Sequence, residues 1–170
     1  MEKVKTFLAD ISDLLNEKNY QKIYEKVPAF RQEKADRLKH REDQAQSVGA
    51  WYLWMKIQER HKIPQDAGQS FNLSHSGKYV LCSAGVSGER VGCDIEYMRK
   101  YHERLAEKYF CSSEYERIRN ADEAERTEMF YRYWVLKESF LKATRKGLVM
   151  GLNTSEIQIP KQGDPFFLRQ

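Results

Sequence analysis

Two aromatic-rich segments with helical periodicity, each followed by a β pattern, limit most strongly how this chain can fold. The first runs from about residue 42 to 60, and the second, the longest, from 126 to 146 before Gly147. Short runs of β-branched and apolar residues follow them at 79–82 and 156–159. The two halves resemble each other loosely, which indicates a weak internal repeat in an α+β chain.

The other predicted elements fit between these segments. In chain order they are a strand at 3–9, a helix from Ser12 to near Pro28, a helix at about 31–39, a loop and a Ser-Gly turn before the strand at 79–82, a strand at 91–97 and a short capped helix at 114–118. On the longest helix, an apolar stripe runs through Met129, Tyr133, Leu136, Phe140 and Ala143. Phe130, Trp134 and Leu141 widen it toward a second edge.

Composition narrows the class of protein. Hydrophobic residues make up 41% and aromatic residues 12% of the 170 residues, which excludes a disordered chain. Cys82, Cys93 and Cys111 form neither a CxxC pair nor an even set, so we expect free thiols in a reducing compartment. No segment approaches the ~18 apolar residues of a membrane span, and the N-terminal residues lack a secretory signal. The sequence predicts a folded cytoplasmic protein that enters no membrane.

Basic residues are concentrated in one stretch of the chain, although the net charge is only +4. They are Arg31, Lys34, Arg37, Lys39 and Arg41. This run favours an anionic ligand, and a solvated helix face is the alternative. A nucleic-acid-binding module is a further hypothesis, but acidic residues interrupt the run and no nucleic-acid motif is present. We therefore expect no nucleic-acid partner.

Three carboxylates have the pattern of a metal site. On the predicted strand at 91–97, Asp94 and Glu96 point to the same side and can share one hard cation. The alternative is a pair of exposed surface carboxylates. Glu138 supplies a third carboxylate, and such an oxygen set suits Mg²⁺ completed by waters and phosphate oxygens.

Two further pairs carry candidate chemistry. Glu138 and Lys142 lie one helical turn apart, either as a solvated ion pair or as a carboxylate and lysine facing a cleft. Ser74 and His75 precede Ser76-Gly77 in the predicted loop, which offers donors suited to a diphosphate. A serine hydrolase is a poor interpretation because the GxSxG elbow is absent. A structural role for His75 stays open.

Three segments carry these residues: FNLSHSG at 71–77, VGCDIE at 91–96 and WVLKESFLK at 134–142. Together, in this order, they resemble the signature of Sfp-type 4'-phosphopantetheinyl transferases, and the resemblance extends from about Arg31 to Leu148. It implies the α+β fold of that superfamily, with one domain over 1–170. That domain would be a pseudo-twofold pair of similar α/β halves, about 1–90 and 91–170, with coenzyme A in the cleft between them and the second half shortened.

The resemblance also implies a function. An enzyme of this type transfers the 4'-phosphopantetheine group from coenzyme A to a serine of an apo acyl or peptidyl carrier protein, depends on Mg²⁺ and releases 3',5'-ADP. The alternative is a non-catalytic relative that binds coenzyme A or a carrier protein without turnover, because Gln69 stands where the family has a lysine and the chain is short. Both a monomer and a dimer stay open.

Residue roles follow from the same resemblance. The implied metal ligands are Asp94, Glu96 and Glu138. The implied catalytic residues are Glu138, Lys142 and His75. The implied coenzyme A ligands are Arg31, Lys34, Ser47, Ser74, His75 and Lys142. Glu114, in an FxxxE segment, is expected near the active site. The residues expected to receive the acidic helix of a carrier protein are Lys108, Arg117, Tyr109 and Tyr115.

Overall fold

The chain forms two compact units, Met1–Glu96 and Tyr97–Gln170. The computed structural model describes residues 4–63, 70–85, 88–145, 151–160 and 162–169. Each unit combines α-helices with a small antiparallel sheet, which confirms the predicted α+β class. The single-domain organisation over 1–170 stays a prediction. Among the residues that the structure describes, no helix combines the length and hydrophobicity needed to span a bilayer.

The first unit is a three-stranded sheet with a long helix against one face. Its elements are β1 (Val4–Asp10), a 3-10 helix (Ser12–Leu15), α1 (Glu17–Tyr24), α2 (Ala29–Asp36), α3 (Arg41–His61), β2 (Phe71–Ser76) and β3 (Tyr79–Gly85). The strand order is β1-β3-β2, and both pairings are antiparallel. The helix predicted from Ser12 is divided at Asn16, whose side chain caps α1 by accepting from Asn19 N at 3.3 Å.

The core of this unit lies between the sheet and α3. Val80, Cys82 and Ala84 alternate along β3 and are fully buried. The rings of Trp54 on α3 and Phe71 on β2 stack with centroids 4.1 Å apart. Gly49 lets the 3-10 helix approach α3, because a Cβ there would lie 2.8 Å from Ile11 Cγ2. The position of β2 is therefore fixed by the packed face of the sheet.

Two local predictions in this unit are wrong. Residues 71–76 form β2 rather than a loop, because Phe71 and Leu73 pack inward while Ser74 and Ser76 lie on the opposite face. The predicted turn does follow, at Gly77, where φ is +54°. Residues 91–97 have no regular secondary structure, so the strand predicted there is also wrong.

The second unit is mainly helical. Its elements are α4 (Glu103–Tyr109), α5 (Ser112–Asn120), α6 (Glu123–Thr144), a 3-10 helix (Leu152–Thr154), β4 (Glu156–Gln158) and β5 (Phe166–Arg169), which pairs with β4. Gly147, the predicted stop of the long helix, lies outside the described residues; α6 ends at Thr144, followed by Arg145 with φ +57°. An aromatic cluster that includes Phe110, Phe130 and Tyr133 forms the core.

The buried face of α6 includes Tyr133 of the predicted stripe but is centred on its predicted edge, where Phe130 and Leu141 lie. Phe130, Tyr133, Lys137 and Leu141 are its buried residues, at intervals of three or four positions. Met129, Leu136 and Phe140, which the sequence placed on the stripe, are half-buried. The centre of the buried face therefore carries a lysine.

Candidate functional site

The segment that carries Asp94 and Glu96 runs beside β2 and is held by its side chains. Cys93 N donates to Asn72 Oδ1 at 3.0 Å, and Ile95 N donates to Ser74 Oγ at 3.3 Å. Side-chain oxygens of β2 thus take the positions that backbone carbonyls would take in a sheet ladder. This explains why the segment runs alongside β2 without being a strand itself.

The two carboxylates are oriented by two hydroxyl groups of one strand face. Ser74 Oγ donates to Asp94 Oδ1 at 2.8 Å, and Ser76 Oγ donates to Glu96 Oε2 at 3.3 Å. Because Ser74 and Ser76 are two positions apart on β2, both carboxylates approach the same face of the strand. Ser74 is buried, Asp94 is half-buried and Glu96 is exposed, so the pair reaches from the interior to solvent.

His75 is exposed and lies between these serines in the sequence. On a strand, successive side chains point to opposite faces, so His75 lies on the face opposite Ser74 and Ser76. The predicted loop, in which Ser74 and His75 would present their donors side by side, is therefore replaced by a strand that separates them.

Arg31 and Ser47 each bury a polar atom that lacks a hydrogen-bond partner among the described residues. The atoms are Arg31 Nε, near the start of α2, and Ser47 Oγ, on α3. The Arg31 guanidinium lies 4.2 Å from the centroid of the Trp51 ring. Ser47 is one turn before Trp51 on α3 and shares its side of the helix. Burial lowers the pKa of the Arg31 guanidinium, which nevertheless stays charged at neutral pH.

Lys34 is exposed and lies one turn after Arg31 on α2, so the two basic residues share one side of that helix. In the second unit, Glu138 and Lys142 lie one turn apart on α6, and both side chains are half-buried. The structure thus places Arg31, Lys34, Ser47, Ser74, Asp94 and Glu96 in the first unit and Glu138 and Lys142 in the second.

Glu114 does not line an open site. Its side chain is 1% exposed, and its Oε2 lies 2.8 Å from Nζ of the fully buried Lys137. Cys111 N also donates to Glu114 Oε2, and Ile157 N donates to Oε1. The Glu114 carboxylate is an internal partner of α6, and its expected position near the active site stays a prediction. The sequence analysis included Lys137 in the segment at 134–142 but assigned it no role.

Two comparisons with known proteins bear on this site. Residues 90–169 match the family model described as ACPS, the 4'-phosphopantetheinyl transferase superfamily. This range contains Asp94, Glu96, Glu138 and Lys142. The resemblance predicted from the sequence is therefore confirmed.

Individual transferases show how far this likeness extends. The chain is 34% identical to 4'-phosphopantetheinyl transferase Sfp of Bacillus subtilis strain 168 over 101 residues, which are 59% of this chain and 44% of Sfp. A second Bacillus subtilis 4'-phosphopantetheinyl transferase is 29% identical, covering 81% of this chain and 68% of its own length. The chain is 39% identical to 4'-phosphopantetheinyl transferase HetI of Nostoc sp. strain PCC 7120 over 85 residues, which are 49% of this chain and 35% of HetI. The chain thus spans less than half of Sfp and of HetI.

The residues present fit the ligands of a phosphopantetheinyl transferase in kind. Asp94 and Glu96 offer hard carboxylate oxygens beside one face of β2, and such oxygens suit Mg²⁺. Arg31 Nε and Ser47 Oγ are buried donors with hydrogen-bonding capacity that the described residues do not use, as a bound phosphate would require. No group of three or more His, Cys, Asp or Glu side chains that could hold a metal occurs within the described ranges. Gln69, at the position of the family's usual lysine, lies outside them.

Proposed function

We propose that this chain is a 4'-phosphopantetheinyl transferase that moves the phosphopantetheine group of coenzyme A onto a serine of an apo acyl or peptidyl carrier protein. The observation that carries the proposal is the pair Asp94 and Glu96, held on one face by Ser74 and Ser76 within a superfamily segment. The relatives named above are themselves called 4'-phosphopantetheinyl transferases. A cytoplasmic location belongs to the same proposal.

In the proposed reaction, the serine oxygen of the carrier bonds to the phosphorus that bears the pantetheine arm. The bond from that phosphorus to the bridging diphosphate oxygen breaks, and 3',5'-ADP leaves with the bond's electron pair. Glu138, or a water that it orients, accepts the serine proton. Lys142 neutralises the charge that grows on the phosphoryl oxygens.

Asp94, Glu96 and Glu138 are the proposed ligands of Mg²⁺. When bound, the ion would polarise the diphosphate and stabilise the leaving group. The hydroxyl groups of Ser74 and Ser76 restrict the rotation of the Asp94 and Glu96 carboxylates, so these oxygens need little reorganisation to bind a cation.

The remaining proposed ligands bind coenzyme A through its phosphates. Arg31, Lys34 and Ser47 would contact the 3'-phosphate, and the buried donors of Arg31 and Ser47 support this assignment. Ser74 and His75 would contact the diphosphate. Because these two side chains lie on opposite faces of β2, we assign them to separate oxygens rather than to one shared contact.

A carrier protein would approach the second unit. Lys108 lies 5.0 Å from the Tyr109 ring centroid, and the Tyr109 ring makes an edge contact with Trp134. Tyr115 donates to Glu103, which raises the pKa of the Tyr115 hydroxyl. Arg117 donates to Ile159 O at 3.5 Å. These are the proposed docking residues for an acidic carrier helix, and such docking would weaken as salt increases.

Intact-mass analysis of an apo carrier protein tests the proposal. After incubation with this protein, coenzyme A and Mg²⁺, the carrier should gain one phosphopantetheine, and EDTA should prevent the gain. Glu138→Ala should lower turnover at least about 100-fold with little change in melting temperature. Glu128→Ala, an exposed glutamate on the same helix, is the matched control and should retain turnover.

The outcomes separate the proposal from its alternative. No mass gain with any carrier, while coenzyme A binding is still measured by calorimetry, would support a relative that binds without turnover. Near-full turnover of Glu138→Ala would remove Glu138 from the catalytic set and leave the transferase proposal intact.

A further inference from the structure

The second unit contains a buried ion pair that the proposed reaction does not use. Lys137 Nζ lies 2.8 Å from Glu114 Oε2, and the two side chains are 0% and 1% exposed. A buried ion pair seldom stabilises a fold more than an apolar pair of similar volume would, because both charges lose their hydration. The pair therefore calls for an explanation beyond core stability.

Every strong hydrogen-bonding group of the pair has a partner. Lys137 Nζ donates to Leu152 O at 2.8 Å and to Ser155 O, as well as to Glu114. Glu114 in turn accepts from Cys111 N and Ile157 N, both at 2.8 Å. The ammonium group thus has three acceptors, which is its full donor capacity.

These contacts join four elements of the second unit at one point. Glu114 belongs to the first turn of α5 and Lys137 to the middle of α6. Of their backbone partners, Cys111 caps α5, and the others lie in the 3-10 helix, in β4 or between the two. Hydrogen bonds are directional, so rotation of α6 about its axis or movement along it would break several at once. Apolar packing alone would allow such small displacements at lower cost.

The position of Lys137 on α6 gives this restraint its consequence. Glu138 is the next residue, about 100° around the helix, and Lys142 lies one turn after Glu138. A helix fixed in rotation at Lys137 therefore presents Glu138 and Lys142 in one fixed direction.

We propose that Lys137, held by Glu114, is a positioning residue for the face of α6 that carries Glu138 and Lys142. This inference rests on the function proposed above. It assigns to the buried pair the orientation of a metal-binding carboxylate, and it predicts that loss of the pair changes metal dependence more than it changes coenzyme A binding.

The test compares Lys137→Met and Glu114→Gln with Phe130→Leu, a substitution in the same core that leaves the pair intact. For each variant, we would measure melting temperature, the KM for coenzyme A and the Mg²⁺ concentration that gives half-maximal transfer. Both pair variants should raise that Mg²⁺ concentration about 10-fold or more. They should raise the KM for coenzyme A by a smaller factor, because Lys142 is only one of its proposed ligands. Phe130→Leu should lower the melting temperature without moving the Mg²⁺ requirement.

Two results would overturn the inference. One is a Mg²⁺ requirement of the pair variants that stays within 2-fold of wild type; the other is an equal shift in Phe130→Leu. If the Lys137→Met variant does not fold, the Mg²⁺ requirement of the near-isosteric Glu114→Gln variant alone decides whether the inference holds.

Failure of the transferase proposal can be distinguished from failure of this inference. If the wild-type protein transfers nothing, Mn²⁺ binding followed by electron paramagnetic resonance replaces the assay. Weaker Mn²⁺ binding in the pair variants alone supports positioning, whereas equal binding in all variants, or none in wild type, overturns it.

Discussion

The two carboxylate-bearing segments of this protein are held in opposite ways. Asp94 and Glu96 lie on an irregular segment, and hydroxyl groups of a neighbouring strand orient them at the edge of solvent. Glu138 lies on the long helix α6, and the residue before it, Lys137, is held by an internal ion pair. Loss of a serine hydroxyl leaves a carboxylate that is only half-buried or exposed, whereas loss of one member of the ion pair leaves a fully buried charge. The first arrangement is adjustable, and the second is nearly all-or-none.

The largest expected effect concerns the buried ion pair of Glu114 and Lys137. Glu114→Ala leaves the Lys137 ammonium buried without its counter-charge and removes the acceptor of two backbone amides. We expect the free energy of unfolding to fall by about 3–5 kcal/mol, measured by urea denaturation. Glu116→Ala, an exposed residue of the same helix, is the control and should change it by less than about 0.5 kcal/mol. Similar losses in both variants would contradict the comparison.

A smaller effect is expected for the serine hydroxyl groups that orient Asp94 and Glu96. Ser74→Ala removes the donor to Asp94 and the acceptor of Ile95 N, and should cost about 1–3 kcal/mol because Ser74 is buried. Ser76→Ala removes one longer, exposed hydrogen bond to Glu96 and should cost less than about 1 kcal/mol. Urea denaturation of both variants gives the ranking, and the reverse order would show that Ser74 does not hold the segment.

The smallest expected effect concerns another exposed carboxylate of the first unit. Hydrogen bonds from the Ser12 side chain and backbone, together with Lys78, lower the pKa of Asp10 from 3.8 to about 2. A lowered pKa stabilises the fold above pH 3.8, and this contribution disappears as pH falls through about 2. Melting temperatures measured from pH 4 to pH 2 should therefore fall slightly less steeply in Asp10→Asn than in wild type. Identical slopes would show that Asp10 contributes nothing.

The sequence predicted the orientation of Asp94 and Glu96 better than their secondary structure. The predicted strand does not exist, yet residues two apart in an extended segment still approach the same neighbouring surface. The same alternation was available in β2, where Phe71 and Leu73 alternate with polar Ser74 and Ser76. Serine, histidine and asparagine indicated a loop, and pairing with β3 overrode that preference.

Lys137 could not be found from periodicity alone. Stripe analysis treats lysine as a surface residue, and a buried lysine is identified only by its partners, which lie 15 to 23 positions away in the sequence. One signal was present: Lys137 lies four residues after Tyr133 and four before Leu141, so it belongs to the buried face by spacing. Its partner Glu114 belongs to the FxxxE segment, but nothing in the sequence indicated that its carboxylate pairs with a lysine inside the core.

The burial of the three cysteines matters for the redox behaviour of a protein proposed to handle coenzyme A. Cys82, Cys93 and Cys111 are all buried and none forms a disulfide; burial raises the pKa of the Cys82 thiol to about 12. Thiol exchange needs an accessible thiolate, and coenzyme A is a thiol that oxidises to disulfides. These cysteines are therefore poor partners for thiol exchange with oxidised coenzyme A, and we expect them to form mixed disulfides only when the surrounding core opens.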